Sequence, residues 1–280
     1  MNDENTVPAS QASTVLNLST DSGFYTDWKQ EYQLDTEQAI LSAGRTESIM
    51  LSTTRLISTL CTLLKLPHSV EFSSIDTLER FLVTVIDDAE GTSARNFVQQ
   101  MPLYVFSVLS LVSKFFDAHV KLDPRVLEQI LQQYAPNLPW SDKRMLELEF
   151  EVLKKLNYKI KHSLLLGAVE RFSKEFILTL GIARKDFVGS IGVKLLRVVY
   201  AQKHHIYSSL RPSIKCEDMF VRFKSNKLIL AAATVTAMLK FCGAVQERVV
   251  DQVVNQLSNE CFVEPKNIIF LRDAILNVFN

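Results

Sequence analysis

The sequence contains few of the residues that mark tight turns. Only 8 of its 280 residues are glycine and 8 are proline, whereas 47% are hydrophobic. An all-β fold requires many tight turns, so this composition argues against one. The apolar content is enough for a sizeable core, and the length allows two modest domains or one large one. We therefore expect an all-α protein.

The chain also lacks the motifs that identify common enzyme classes. It contains no GxGxxG, P-loop, HExxH or GxSxG pattern. Asp87 and Asp88 have no partner carboxylates at metal-ligand spacing. His204 and His205 are adjacent, so on a helix they would point about 100° apart. We therefore predict a protein with no catalytic residue, no cofactor and no metal site.

Neither cysteine spacing nor long apolar runs suggest secretion or a membrane. Cys61, Cys216, Cys242 and Cys261 form no CxxC pair, and two of them lie in apolar helical patterns, so we expect buried, reduced thiols. The first residues carry no apolar signal-peptide core, and no apolar run reaches the roughly 18 residues that span a bilayer. The pattern favours a cytosolic or nuclear protein.

Charge is balanced over the whole chain but divided unevenly between its halves. Residues 1–160 hold 14 Lys and Arg against 21 Asp and Glu, whereas residues 161–280 hold 17 against 10. A nucleic-acid-binding protein usually concentrates basic residues on one face, and here they are scattered along several predicted helices. The distribution permits nucleic-acid binding without requiring it.

The apolar spacing divides the chain into a polar tail and two helical halves. Residues 1–35 are rich in Ser, Thr, Asn, Asp and Gln, which predicts a disordered tail. From Thr36 onward the spacing of apolar residues predicts helix nearly throughout, with five helices in each half. The expected spans are about 46–66, 69–85, 98–120, 124–134 and 141–160, then 162–180, 186–210, 225–242, 244–258 and 265–279.

The third predicted helix of each half is apolar on most of its sides. This holds for residues 98–120 and for residues 228–239, which read LILAAATVTAML. A helix that is hydrophobic nearly all round belongs at the centre of a bundle. The two halves therefore repeat an architecture rather than a sequence, in too few copies for a solenoid.

The fifth predicted helix, 141–160, combines a core-facing stripe with several glutamates. Ser141 is a good N-cap, and Asp142 places negative charge at the positive end of the helix dipole. Apolar residues recur at helical spacing along one side, and the glutamates lie off that side. The stripe consists of Met145, Leu148, Val152 and Leu156, and the glutamates are Glu147, Glu149 and Glu151.

Three short motifs lie on the second, third and fifth helices of the first half. They are LERFL at 78–82, LVSKF at 111–115 and LEFEVLKKLNY at 148–158. The first resembles the "hydrophobic-Asp-Arg-Phe-Leu" signature of cyclins, with Glu for Asp. The second resembles "Leu-Ala-Ser-Lys-Phe/Tyr", and the third resembles "Met-Glu-x-x-x-Leu-x-x-Leu-x-Phe". The specific motifs cover the first half, and the second half matches cyclins mainly by pattern.

The resemblance implies the cyclin fold and a regulatory function. After the tail, an N-terminal cyclin box with a leading helix would occupy 36–160, and a C-terminal cyclin-like box would occupy 161–280. The protein would be a non-catalytic subunit that binds a cyclin-dependent kinase, and the kinase would carry the chemistry. The matching kinase-contact positions are Lys114 and Glu149, with Phe115 and Phe116 beside them. The matching structural positions are Glu79, Arg80, Phe81, Leu153 and Leu156.

A closer similarity involves LERFL, the run at 147–160 and the segment 199–210. Together these resemble the family of cyclin N-terminal domain-containing protein 1, which are divergent, cyclin-like meiotic crossover factors. That resemblance implies a protein of the nucleus, on meiotic chromosomes, that promotes crossover formation and maturation at designated recombination sites. It implies association with the meiotic MutS-type heterodimer and RING-finger pro-crossover proteins, and no direct DNA binding.

The chain departs from typical cyclins at three places. An ungapped alignment from Leu82 puts residues 49–51 and Leu56 where cyclins have Met-Arg-Ala and Trp, so we expect the substrate-docking groove to be lost. The missing Arg would have paired with the acidic residue of the second helix, which leaves the partner of Glu79 open. Cyclins usually have two acidic residues where this chain has Phe116 and Asp117, which predicts a more apolar kinase-facing surface.

Besides a kinase-binding cyclin, two other interpretations of the protein stay open. The protein could be a kinase-independent cyclin-fold scaffold or a nucleic-acid adaptor of the TFIIB type. The basic second half supports this, whereas zero net charge and the lack of a zinc ribbon oppose it. A helical adaptor that resembles cyclins only in bundle packing is the third interpretation. It would form one continuous bundle rather than two five-helix units.

Overall fold

Helix is the only regular secondary structure in the residues that the computed structural model describes, which are 47–86, 97–116, 122–182, 185–243 and 245–279. This confirms the all-α class. Several predictions fall outside the described residues. They concern the tail at 1–35, the start of the leading helix, and Asp87, Asp88 and Asp117. The division into two cyclin boxes stays a prediction.

The described helices are named here in chain order. Those of the first half are α1 (Glu47–Leu63), α2 (His68–Ile86), α3 (Met101–Phe116), α4 (Pro124–Tyr134) and α5 (Asp142–Lys155). Those of the second half are α6 (Leu164–Thr179), α7 (Lys185–Leu210), α8 (Glu217–Ser225), α9 (Lys227–Phe241), α10 (Glu247–Cys261) and α11 (Pro265–Asn277), with a 3-10 turn at Arg211–Ser213.

Capping determines where α4 and α5 begin. The side chain of Asp123 accepts from the Arg125 amide at the start of α4, where Pro124 occupies the first helical position. The Ser141 hydroxyl accepts from the Arg144 amide at the start of α5, at 3.1 Å, as the sequence predicted. Both caps satisfy an amide of the first turn that has no partner within the helix.

Two features of the helices differ from the predictions. Helix α5 ends at Lys155 rather than near Ile160, because Asn157 and Tyr158 adopt left-handed conformations with φ of 51° and 57°. Helix α8 was not predicted at all. Its sequence does carry helix signals, with acidic residues in the first turn and basic residues in the last, as the helix dipole favours.

Helices α3 and α9 are the centres of their halves, as their apolar surfaces predicted. In α3, Met101 and residues 103–113 are buried, and the helix contacts α1, α2, α4 and α5. In α9, residues 229–239 are buried, and the helix contacts α6, α7, α10 and α11. Gly192 of α7 packs tightly on α9, since a Cβ there would lie 2.9 Å from the sulfur of Met238.

The halves meet where α1 and α2 pack against α7. Here the Glu71 carboxylate is fully buried, and it accepts from Nε of Arg197 at 2.7 Å and from Nη2 at 2.5 Å. This bidentate bond raises the pKa of Arg197. Cys61 lies close by, where burial chiefly raises the pKa of its thiol. A buried carboxylate of the first half is thus neutralised by a cation of the second half.

Two further polar contacts continue along the same pair of helices. Tyr200 donates to Oδ1 of Asp76 at 2.8 Å, and Lys203 donates to Oε1 of Glu79 at 2.9 Å. Burial, with the Asp76 charge beside it, raises the pKa of Tyr200 well above its usual value. We call these three contacts the polar seam: Glu71, Asp76 and Glu79 of α2 accept from Arg197, Tyr200 and Lys203 of α7.

Candidate functional site

The structure brings Lys114 and Glu149 into direct contact. Lys114 lies in the last turn of α3 and Glu149 in the middle of α5, and these two helices pack together. The Lys114 ammonium lies 2.7 and 2.8 Å from the two carboxylate oxygens of Glu149. The resemblance to cyclins gave both residues as kinase-contact positions. Their role in binding a kinase stays a prediction.

The two members of this pair are exposed to very different degrees. The Lys114 side chain is 55% exposed and the Glu149 side chain only 11%. An ammonium has three N–H donors, and two of them point to Glu149 here. The pair therefore presents one positively charged donor to solvent, held in place by a largely buried carboxylate. A fitting partner group is a hydrogen-bond acceptor such as a main-chain carbonyl.

Large apolar side chains lie on the same helix as Glu149 and just after it, on the outside of the bundle. Leu146 and Phe150 lie on the solvent side of α5, and Tyr158 follows the helix, each more than half exposed. Leu153, half-buried, continues the same side of α5, since residues three and four apart are neighbours on a helix. We call Leu146, Phe150, Leu153 and Tyr158 the α5 outer face. Exposed apolar groups concentrated on one side of a helix are a signal for protein binding.

Phe115 and Phe116 follow Lys114 at the end of α3. The Phe115 side chain is more than half exposed, and its ring lies 6.5 Å from the ring of Phe116 in an edge arrangement. The Phe116 ring is half-buried and packs against the tilted ring of His162, with 3.7 Å between the ring centroids. The structure thus makes Phe115 the more accessible of the two predicted contact residues.

Three of the predicted signature residues have core or near-core positions. Phe81 is fully buried and packs against the rings of Phe97 and Tyr104, with centroids 6.1 and 5.1 Å away. Leu156 is buried at the end of α5, whereas Leu153 is half-buried beside the α5 outer face. The LERFL and LEFEVLKKLNY motifs therefore contribute to packing as well as to the candidate surface.

The other two signature residues bind groups that the sequence could not identify. Glu79 pairs with Lys203 of α7, so its partner comes from the second half rather than from the first helix. Arg80 is half-buried, and its Nη1 donates to the main-chain carbonyl of Lys159 at 3.1 Å. Arg80 therefore links α2 to the segment that follows α5.

Sequence reasoning missed Leu146 and Phe150 as surface residues. The signal was present, since both are apolar, four residues apart and off the core stripe of α5. The two other glutamates of α5 make contacts of their own: Glu147 lies 3.4 Å from Arg144, whereas Glu151 accepts from the Tyr104 hydroxyl at 3.0 Å.

In the described residues, no group of three or more His, Cys, Asp or Glu side chains is placed to hold a metal ion. None of the described helices combines the length and apolar character needed to cross a bilayer. All four cysteines are free, and Cys216 is exposed, which corrects the expectation that it is buried. His204 and His205 are exposed on α7.

No family model matches the chain, and no curated protein matches it. Functional inference therefore depends on the three motifs and on the geometry of the surface formed by α3 and α5.

Proposed function

We propose that the protein is a non-catalytic, cyclin-like regulatory subunit that binds a cyclin-dependent kinase through α3 and α5. One observation carries this proposal: the α5 outer face lies on the same helix as Glu149, and two of its members, Leu146 and Leu153, are three and four residues from Glu149 and so neighbour it on the helix. These are the helices and positions at which the motifs resemble the kinase-contacting part of a cyclin. An exposed apolar surface with one oriented donor suits burial of a partner helix.

The packing of the helices supports the same interpretation. Each half is arranged around its own buried helix, α3 in one and α9 in the other. Two such centres fit two cyclin-box units better than one continuous bundle. The additional helix α8 precedes α9 in the second half, which is the half that resembles cyclins by pattern alone.

The mechanism is a shift of a conformational equilibrium in the kinase. The apolar side chains of the α5 outer face and Phe115 would bury the kinase's regulatory helix. Lys114 would donate to a main-chain carbonyl, a charge-assisted bond that contributes about 1.5–3 kcal/mol. Binding would favour the helix position in which the kinase's own Lys–Glu ion pair forms, as activation requires. The protein supplies no reacting group in this scheme.

The biological setting that we propose comes from the closer resemblance alone. It places the protein in the nucleus, on meiotic chromosomes, where it promotes crossover formation and maturation at designated recombination sites. Its further associates would be the meiotic MutS-type heterodimer and RING-finger pro-crossover proteins. Its kinase would act at those sites.

Binding to a kinase can be tested by co-purification of the full chain with a panel of cyclin-dependent kinases. We expect the wild type to retain at least one kinase, and Phe150→Asp to lower the retained amount by about tenfold or more, as loss of a central aromatic anchor does. Met219→Asp is the matched control, because Met219 is equally exposed but lies on α8. A wild type that retains no kinase would refute the proposal.

The role of the ion pair requires a variant that preserves the contact. Lys114→Glu alone would put two carboxylates together and disturb the fold. The double variant Lys114→Glu/Glu149→Lys keeps an ion pair but presents the opposite charge, so we expect it to fold and to lose kinase binding. Thermal unfolding followed by circular dichroism checks that it folds. Unchanged kinase binding by a folded double variant would show that Lys114 and Glu149 do not belong to the binding site.

The second candidate function, a kinase-independent scaffold or nucleic-acid adaptor, has its support in the basic second half. The polar seam weakens that support, because Arg197 and Lys203 are paired with carboxylates of the first half. Ion pairs between the two halves therefore neutralise part of the negative charge of the first half and part of the positive charge of the second. DNA binding by the full chain that weakens steeply with salt would favour this second function. We expect no such binding.

A further inference from the structure

The segment after α5 has a backbone conformation that its residues disfavour. Asn157 and Tyr158 are consecutive left-handed residues, with φ of 51° and 57°. A side chain with a Cβ is crowded in this region; asparagine tolerates it, whereas a bulky aromatic residue rarely adopts it. Strained backbone of this kind persists only where surrounding contacts hold it, and it is common at functional sites.

Three hydrogen bonds within the segment close this turn. The Asn157 amide donates to the Lys154 carbonyl at 3.1 Å, and the Tyr158 amide donates to the Leu153 carbonyl at 2.8 Å. The Lys159 amide donates to the Leu156 carbonyl at 3.0 Å. These bonds all lie within the end of α5 and the residues after it, so they do not fix the turn relative to the rest of the bundle.

Arg80 supplies a contact from outside the segment. Its Nη1 donates to the carbonyl of Lys159, the residue directly after the left-handed pair. The residues on either side of Arg80 are fixed independently, since Glu79 binds Lys203 and Phe81 is buried. Arg80 therefore extends from a fixed part of α2 to the end of the turn.

The turn creates a feature that a longer helix would not have. The Phe150 and Tyr158 rings lie 6.3 Å apart in an edge arrangement, although the two residues are eight positions apart in the sequence. Had α5 continued, the two Cα atoms would lie about 12 Å apart along the axis, at 1.5 Å per residue. The left-handed turn instead brings Tyr158 back beside Phe150 on the α5 outer face.

We infer that Arg80 is a positioning residue for partner binding: by holding the Lys159 carbonyl, it stabilises the left-handed turn that places Tyr158 beside Phe150. Arg80 touches no partner itself in this scheme. The inference deepens the proposed function and rests on it for the identity of the partner. The placement of Tyr158 is a property of the free protein, so it can be tested with no kinase present.

The first experiment follows the ring pair in the free full-length chain. Selectively labelled Phe and Tyr report the contact as nuclear Overhauser effects between the Phe150 and Tyr158 rings. We expect Arg80→Met to abolish them and the added Asn157→Gly to restore them, because glycine adopts a left-handed conformation without steric cost. Arg125→Met, the same substitution at an exposed residue of α4, should leave them unchanged. Persistence of the effects in Arg80→Met would overturn the inference.

The second experiment measures affinity for the kinase retained by the wild type. We expect Arg80→Met to weaken binding by about tenfold, the scale of losing one anchoring aromatic, and Asn157→Gly to recover most of that loss. Arg80→Met should have no further effect in a Tyr158→Ala background, since both changes act through one side chain. Unchanged kinase binding by Arg80→Met would overturn the role in binding. A wild type that binds no kinase would instead refute the proposed function. The ring contact in the free protein would still show whether Arg80 determines the position of Tyr158.

Discussion

Replacing Arg197 with methionine should lower the free energy of unfolding by about 3 kcal/mol or more, because it leaves a buried carboxylate without its cation. Glu71 is fully buried, and both of its oxygens accept from Arg197. His68 also lies beside Glu71, with its Nδ1 3.5 Å from Oε2 of the carboxylate. The change can be measured by urea unfolding of the full chain at neutral pH, followed by circular dichroism.

Two variants show whether the loss comes from the unpaired charge. Glu71→Leu/Arg197→Met removes both charges, and we expect it to be more stable than Arg197→Met alone, since an apolar pair often replaces a buried ion pair at little cost. Lys203→Met breaks the partly exposed pair at the other end of the polar seam, where we expect a loss below about 1 kcal/mol. Equal losses for Arg197→Met and Lys203→Met would contradict the argument from burial.

Phe106→Ala should reduce stability by about 3–5 kcal/mol, the range found for deletion of a buried phenyl ring. Phe106 is fully buried in α3, the helix that contacts every other described helix of the first half. The cavity left by its ring would be enclosed on several sides, so the surrounding helices could close it only in part. Unfolding in urea measures this loss directly.

Phe150→Ala makes the same chemical change on the α5 outer face. Its side chain is more than half exposed, so we expect the free energy of unfolding to change by less than about 0.5 kcal/mol. Kinase binding, in contrast, should weaken. The pair of variants thus separates stability from recognition. A large loss of stability in Phe150→Ala would show that this residue belongs to the core and would remove it from the proposed surface.

The sequence predicted the helices well where apolar periodicity and capping agreed. Ser141 marked the start of α5, and the apolar runs identified α3 and α9 as buried centres. The end of α5 was predicted too late because neither Gly nor Pro marks it. Asn157 and Tyr158 adopt a left-handed turn, and Arg80, a residue far away in the chain, donates to the carbonyl of Lys159 directly after it.

The candidate site was predicted only in part, because the sequence does not show how deeply a side chain is buried or which distant residue it contacts. Similarity to cyclin motifs paired Lys114 with Glu149, but it gave no sign that the carboxylate is largely buried. Burial follows from the close packing of α3 on α5, which periodicity alone does not specify. The Glu71–Arg197 pair joins residues 126 positions apart, and no local pattern marks either of them as a partner of the other.

The polar seam has a practical consequence for work with pieces of the protein. All of its acceptors belong to α2 and all of its donors to α7, and the Ser163 amide donates across the same boundary to the Ser73 hydroxyl at 2.9 Å. A fragment ending near residue 160 would expose Glu71, Asp76 and Glu79 together with the apolar surface around them. Such a half would be prone to aggregation when expressed alone, whatever its resemblance to a self-contained module.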